Sequence, residues 1–406
     1  MRLWLIFWLL FGHLAIPDNN RALSQSTVEI SDVSVIYAFG EQAIFQAKIH
    51  SNIPIQQTFL FILPEGQSTR IVNVSLDSQG QTNLQYDIKN NPLRPYARVA
   101  YWYRVTTADG SILESQKYSF DYIDNRFKWQ NLDDSNFQIN WYERDLAFGQ
   151  EALNQAEAGL QSAEKYLPVT PTSAIKVYIY NRASDLQSAL QLGQQSWVAG
   201  EASPDLRVVL ISIPTGPDQN LEMERQIPHE ITHILQYQVA GTAYQQLPTW
   251  LIEGTASIAE LYPDPDYQVA LNKATTADTL LPIQTLCASF PRDASSAYLA
   301  YAESASFMRM IHDKYGSSGI QALMKKYEDG MGCDEGAMAA LGSSLEQLQV
   351  TWKQEMLGVD SQSVAWKNLA PYLLILALLL AVPLTVIIRL VRKPKVPKAE
   401  YEAKYE

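Results

Sequence analysis

Between residues 28 and 122, apolar and polar side chains alternate with a period of two in short runs. The runs 43–49, 58–62, 71–76, 98–106 and 117–120 are separated by turn formers such as Asn91-Pro92 and Asp109-Gly110. In the segment 99–105, large residues recur at every second position, as in a strand with one buried face. These spacings predict an antiparallel all-β sandwich of immunoglobulin or fibronectin III style. Beyond residue 127 the period changes. Leu146, Ala147, Leu153, Ala156, Leu160 and Ala163 fall at helical intervals and predict a helix over 145–167. A strand at 176–180, a short helix at 183–190 and a strand at 206–213 follow. Later segments read as helices at 297–311 (with Gly316 as a C-cap), 320–327, 335–341 and 345–356. The stretch 369–388 carries no charge, and as a helix it spans about 30 Å, the hydrocarbon thickness of a bilayer.

Charge turns that apolar stretch into a topology. Arg389, Arg392, Lys393, Lys395 and Lys398 follow it, so 389–406 is expected to be a basic cytoplasmic tail and 369–388 a transmembrane helix. At the other end, Met1-Arg2 precedes an apolar core at 3–11 and a small-residue site at Ala22-Leu23-Ser24. This predicts a signal peptide at 1–24, either cleaved or kept as an anchor. The expected location is the cell membrane, single-pass, with residues 25 to about 366 outside the cytoplasm. A net charge of −12 argues against a nucleic-acid partner. In an oxidising exterior, the even count of cysteines favours a Cys287–Cys333 disulfide over two separate thiols.

The chemistry lies in His229-Glu230-Ile231-Thr232-His233. Residues i and i+4 share a helix face, so two imidazoles can reach one Zn²⁺ ion while Glu230 stands beside its water-bearing position. A two-histidine site needs a third protein ligand. Glu253 offers one, on a predicted helix that Pro248 opens and Pro263 closes.

Here the residues resemble the gluzincin metallopeptidases, in which H-E-x-x-H is followed by a second helix bearing W-L-x-E-G-x-A-x-x-x-E. Trp250, Leu251, Glu253, Gly254, Ala256 and Glu260 fit that pattern. The resemblance implies that His229, His233 and Glu253 bind zinc and that Glu230 is the general base. It further implies that Glu260 orients a ligand histidine, that Tyr301 stabilises the oxyanion, and that the edge strand near Gly200 and Glu201 pairs with a peptide. An ordinary turn remains the alternative for that last segment. One departure is Pro228, directly before the first histidine. Either the helix begins there or it is kinked there. No G-A-M-E-N-type segment is present, which disfavours aminopeptidase action.

The expected architecture is therefore α+β. A β-sandwich at 25–126 precedes a gluzincin-like domain with a helical C-terminal lobe at 127–362, and then the membrane helix. The expected function is hydrolysis of peptide bonds in a peptide or protein substrate. The alternative is a non-catalytic surface binding protein that keeps the scaffold. The pattern specifies neither a cleavage sequence nor an oligomeric state.

Overall fold

The computed structural model describes residues 27–190, 200–359 and 361–391. The expected signal peptide and residues 392–406 of the basic tail lie outside the described residues. The chain falls into two compact units, divided between Arg126 and Phe127.

The first unit is built of strands β1 (Val28–Ala38), β2 (Gln42–Ser51), β3 (Ile55–Pro64), β4 (Arg70–Asn73), β5 (Gln81–Asp87), β6 (Arg98–Thr107), β7 (Ile112–Glu114) and β8 (Tyr118–Asp121). One sheet has the order β1-β2-β5 and the other β4-β3-β6-β7, with β8 also paired to β6. All pairings are antiparallel. Alternation in β2 buries Ala43, Phe45, Ala47 and Ile49, and Phe45 meets Tyr101 of β6 with ring centroids 5.1 Å apart. Strand β5 was not singled out by the pattern. Its outward positions are Gln and Asn, which read as loop until Thr82 and Tyr86 are seen facing the core. In β6 the alternation also breaks, because Trp102 on the outer face is buried too. It stacks on Phe61 at 5.1 Å, and the Lys117 ammonium lies 4.7 Å from its ring centroid.

The second unit opens with β9 (Gln130–Asp133), β10 (Phe137–Trp141), α1 (Leu146–Glu164), β11 (Ile175–Tyr180), α2 (Ala183–Leu190), β12 (Gly200–Ser203) and β13 (Val208–Ser212). Their sheet runs β12-β13-β11-β10-β9. The central strands β13, β11 and β10 are parallel, and β12 and β9 are antiparallel edges. The central strands are mostly apolar and buried, as strands covered on both faces must be, with Gln138 and Lys176 half-buried. Asp145 caps α1 by accepting the Phe148 N–H at 3.0 Å. Leu146 and Ala147 are exposed, so burial begins at Phe148 rather than where the apolar spacing starts.

Helices follow: α3 (Gln219–Ala240), α4 (Thr249–Ala259), α5 (Pro265–Ala277), α6 (Ala294–Glu328), α7 (Cys333–Leu341), α8 (Leu345–Glu355) and α9 (Ser361–Val391). Gly316 breaks α6 at φ 64°, a left-handed conformation that glycine adopts without strain. Pro228 lies inside α3, so the helix neither begins nor ends there. Helix α5 escaped the pattern reading, although Asp264 and Pro265 form an ordinary helix start. Cys287 and Cys333 are joined by a disulfide. Cys287 O accepts the Thr249 N–H at 3.1 Å, and so ties the bridge to the start of α4. In α9, Leu369–Ile388 is long and apolar enough to cross a membrane, with a mean hydropathy of 2.6.

Candidate metal centre

Two helices supply the centre. Helix α3 presents His229 and His233 one turn apart, with ring centroids 5.0 Å from each other. Helix α4 crosses it and delivers Glu253, whose Oε2 lies 3.3 Å from His229 Nε2 and 3.7 Å from His233 Nε2. One ligand atom from each of the three residues falls within 4.8 Å of the others. Helix α4 owes its position to the other side of the helix. Gly254 packs on the backbone of Ser304 in α6, where a Cβ would overlap the carbonyl. Trp250 is fully buried against Phe307 at 5.2 Å.

The far nitrogens decide which atoms face Glu253. His229 Nδ1 stands 3.0 Å from Glu260 Oε1. His233 Nδ1 stands 3.0 Å from Gln236 Oε1, while Gln236 Nε2 donates to Ile252 O at 2.9 Å and so fixes the orientation of the amide. The Tyr244 hydroxyl is also 3.3 Å from His233 Nδ1. A metal-bound ring with Nδ1–H donating to these oxygens would leave each Nε2, the atom nearer Glu253, as the ligand atom. Two neutral nitrogens and a carboxylate oxygen, with their outer partners in place, fit a tetrahedral divalent cation that keeps one position open. Gln236 and Tyr244 were missed in the sequence reading. Gln236 was findable, since i+3 from His233 shares its helix face. Tyr244 gave no local signal.

Electrostatics reflect burial offset by pairing. Burial opposes charge on His229, but its hydrogen bonds to Glu253 and Glu260 outweigh this and hold its pKa well above the usual value. Burial depresses His233. Burial would raise Glu253, but the charges and hydrogen bond of His233 and His229 prevail and lower it. Glu260 is raised by burial. Glu230 is pushed up to about 8, first by burial and then by the carboxylates of Glu253 and Glu201. The nearby His229 charge and the backbone N–H of Ala202 in β12 pull it back.

Glu230 lies directly against β12, where a Cβ on Gly200 would stand 2.6 Å from Glu230 Oε1. The segment at Gly200 and Glu201 is thus an edge strand and not a turn, whereas Trp197 to Ala199 lie outside the described residues. A cavity of about 350 Å³ opens here, walled by Gly200, His229, Glu230, Tyr267, Tyr298 and Tyr301 among others. Tyr301 has its ring centroid 6.4 Å from that of His229 and rests edge-on against Phe290 at 4.9 Å. Burial, and then the carboxylates of Glu253 and Glu230, raise its phenol pKa, so it stays a protonated donor. The sequence reading did not anticipate Tyr267 and Tyr298. A larger hollow of about 810 Å³ in the first unit includes His50 and Asp77. Among the described residues, however, only His229, His233 and Glu253 group as metal ligands.

A family model described as the peptidase MA superfamily matches residues 155–358. No curated protein matches the chain. Among solved structures, the wild-type OgpA from Akkermansia muciniphila is similar at 15% identity, with a TM-score of 0.21 over 24% of this chain and 28% of that one. The cycloalternan-degrading enzyme from Trueperella pyogenes is similar at 14% identity, with a TM-score of 0.19 over 25% of this chain and 13% of that one. This chain spans little more than a quarter of the OgpA chain, and overlaps at these TM-scores say nothing about function.

Proposed function

The chain belongs to the peptidase MA superfamily, and on that premise we propose that it is a zinc-dependent peptidase of gluzincin type, anchored in a membrane with its site outside the cytoplasm. The observation that carries this reading is the convergence of His229, His233 and Glu253 within 4.8 Å, with both Nδ1 atoms already engaged and Glu230 alongside. Zn²⁺ held by these three residues would lower the pKa of a water toward neutrality and polarise the scissile carbonyl. The chain's own residues do the rest. Glu230 takes the proton of the attacking water and later returns it to the leaving nitrogen. Ala202 N–H holds that carboxylate in place. The outer edge of β12, the end strand of the described sheet, pairs with an extended peptide through backbone hydrogen bonds. Tyr301 donates to the oxygen that gains negative charge, while Glu260 and Gln236 keep the two rings turned the right way.

Membrane anchoring rests on Leu369–Ile388 and the basic residues after it. We further read residues 25–126 as a sandwich of immunoglobulin or fibronectin III style, because β1-β2-β5 faces β4-β3-β6-β7 through an aromatic core. Its role would be that of a spacer or binding module, with the peptidase domain at 127–362. The deciding experiment measures metal content and peptide-library cleavage for the wild type and for Glu230→Gln. The wild type should hold one zinc and cleave, and Glu230→Gln should keep the zinc and lose turnover, because an amide cannot accept the proton. A zinc-loaded wild type that cuts no peptide would establish the binding-protein alternative instead.

A further inference from the structure

In an uninterrupted α-helix the N–H of residue 228 would bond the carbonyl of residue 224. Proline has no N–H, so Pro228 removes the donor that would ordinarily bond Glu224 O four residues back in the helix. That carbonyl accepts the N–H of Leu261 instead, at 2.9 Å. Leu261 follows Glu260, where the backbone has already left α4 (φ −55°, ψ 137°). The Glu260 side chain turns back and places Oε1 3.0 Å from His229 Nδ1. The same turn of α3 holds the next residues as well. Arg225 Nη1 lies 3.7 Å from Asp264 Oδ2, and its guanidinium lies 6.0 Å from the centroid of the Tyr262 ring.

We propose that Pro228 is a positioning residue for the metal centre: by freeing the Glu224 carbonyl it creates the acceptor that pins Leu261, and so holds the Glu260 carboxylate on His229. The inference rests on the reading of His229 as a zinc ligand. A departure from regular helix directly before a ligand thereby becomes a cross-brace between the two ligand-bearing helices. An alanine at 228 would restore the N–H, which would compete with Leu261 for Glu224 O. Glu260 would then lose its backbone anchor, although every metal ligand would remain. Pro228 also packs on α1, where a Cβ at Gly159 would lie 2.8 Å from its Cγ, and this contact is the competing explanation for a proline here.

The test uses the full chain in detergent, with Zn²⁺ affinity measured by chelator competition and exchange of the Leu261 amide followed by mass spectrometry. Glu260→Gln should weaken Zn²⁺ binding on the order of tenfold to a hundredfold, and Pro228→Ala about threefold to tenfold, with faster Leu261 exchange. In the Glu260→Gln background, Pro228→Ala should cost nothing further, because its effect passes through that carboxylate. Leu261→Pro removes the donor without touching α3 and should reproduce the Pro228→Ala loss. Unchanged Zn²⁺ affinity in Pro228→Ala, or an equal loss with and without Glu260, would reduce the proline to its packing on α1. An unprotected Leu261 amide in the wild type would overturn the proposal without any variant. A wild type that binds no Zn²⁺ would instead remove the metal reading itself.

Discussion

Gly200→Ala isolates the placement of Glu230 from everything else in the centre. The new methyl group would stand 2.6 Å from Glu230 Oε1, 3.1 Å from Cδ and 3.2 Å from Cγ. An ordinary carbon–oxygen contact is about 3.5 Å, so the carboxylate must retreat by nearly 1 Å. Gly200 lies in a strand, and no left-handed backbone conformation requires a glycine there, so alanine strains the side-chain contact and not the backbone. Displacements of this size cost up to about a hundredfold when reacting groups must align. We therefore expect kcat/KM to fall about tenfold to a hundredfold, or roughly 1.4 to 2.7 kcal/mol of transition-state stabilisation. Zinc content and Tm should not change, because Glu230 is assigned to the water and not to the metal. Steady-state kinetics on a cleaved library peptide, with metal analysis of the same sample, measures both. Full activity in Gly200→Ala would show that β12 does not set the position of Glu230. A loss of zinc along with activity would refute the assignment of Glu230 as a non-ligand.

Further tests address the scaffold and the topology. Glu303 is fully buried in α6 and its carboxyl is pushed up to about 7 by burial, so the fold favours its protonated form. Between about pH 4.5 and 7 the native state binds the extra proton, and stability contributed by this group falls as pH rises. Glu303→Gln keeps an acceptor for the Leu281 N–H and should raise stability by about 1 to 3 kcal/mol at pH 8 but not at pH 4, read by denaturant titration. Serine at both Cys287 and Cys333 should lower stability by about 2 to 4 kcal/mol, since the bridge closes a separation of 46 residues. Protease added to intact cells should remove the ectodomain and leave a tag at the C-terminus protected; an accessible tag would invert the topology.

The parts of this protein legible in its sequence are those that local geometry dictates. His229 and His233 are neighbours in any α-helix, and the apolar length of 369–388 is independent of the rest of the chain. The strand alternation in β2 and the cap at Asp145 are likewise settled within a few residues. What tertiary structure decided is which distant groups meet. It set Gln236 between His233 and the Ile252 carbonyl, brought Tyr244 to the same ring, and laid β12 against Glu230. It also buried Trp102 on a face that alternation assigns to solvent, and exposed Leu146, which periodicity assigns to the core. Pro228 shows the difference most clearly. From its neighbours alone it reads as a helix start or a kink, because local rules record only the hydrogen bond it cannot make. Only the fold brings Leu261 to the carbonyl left over, since backbone donors seek partners through space rather than along the chain.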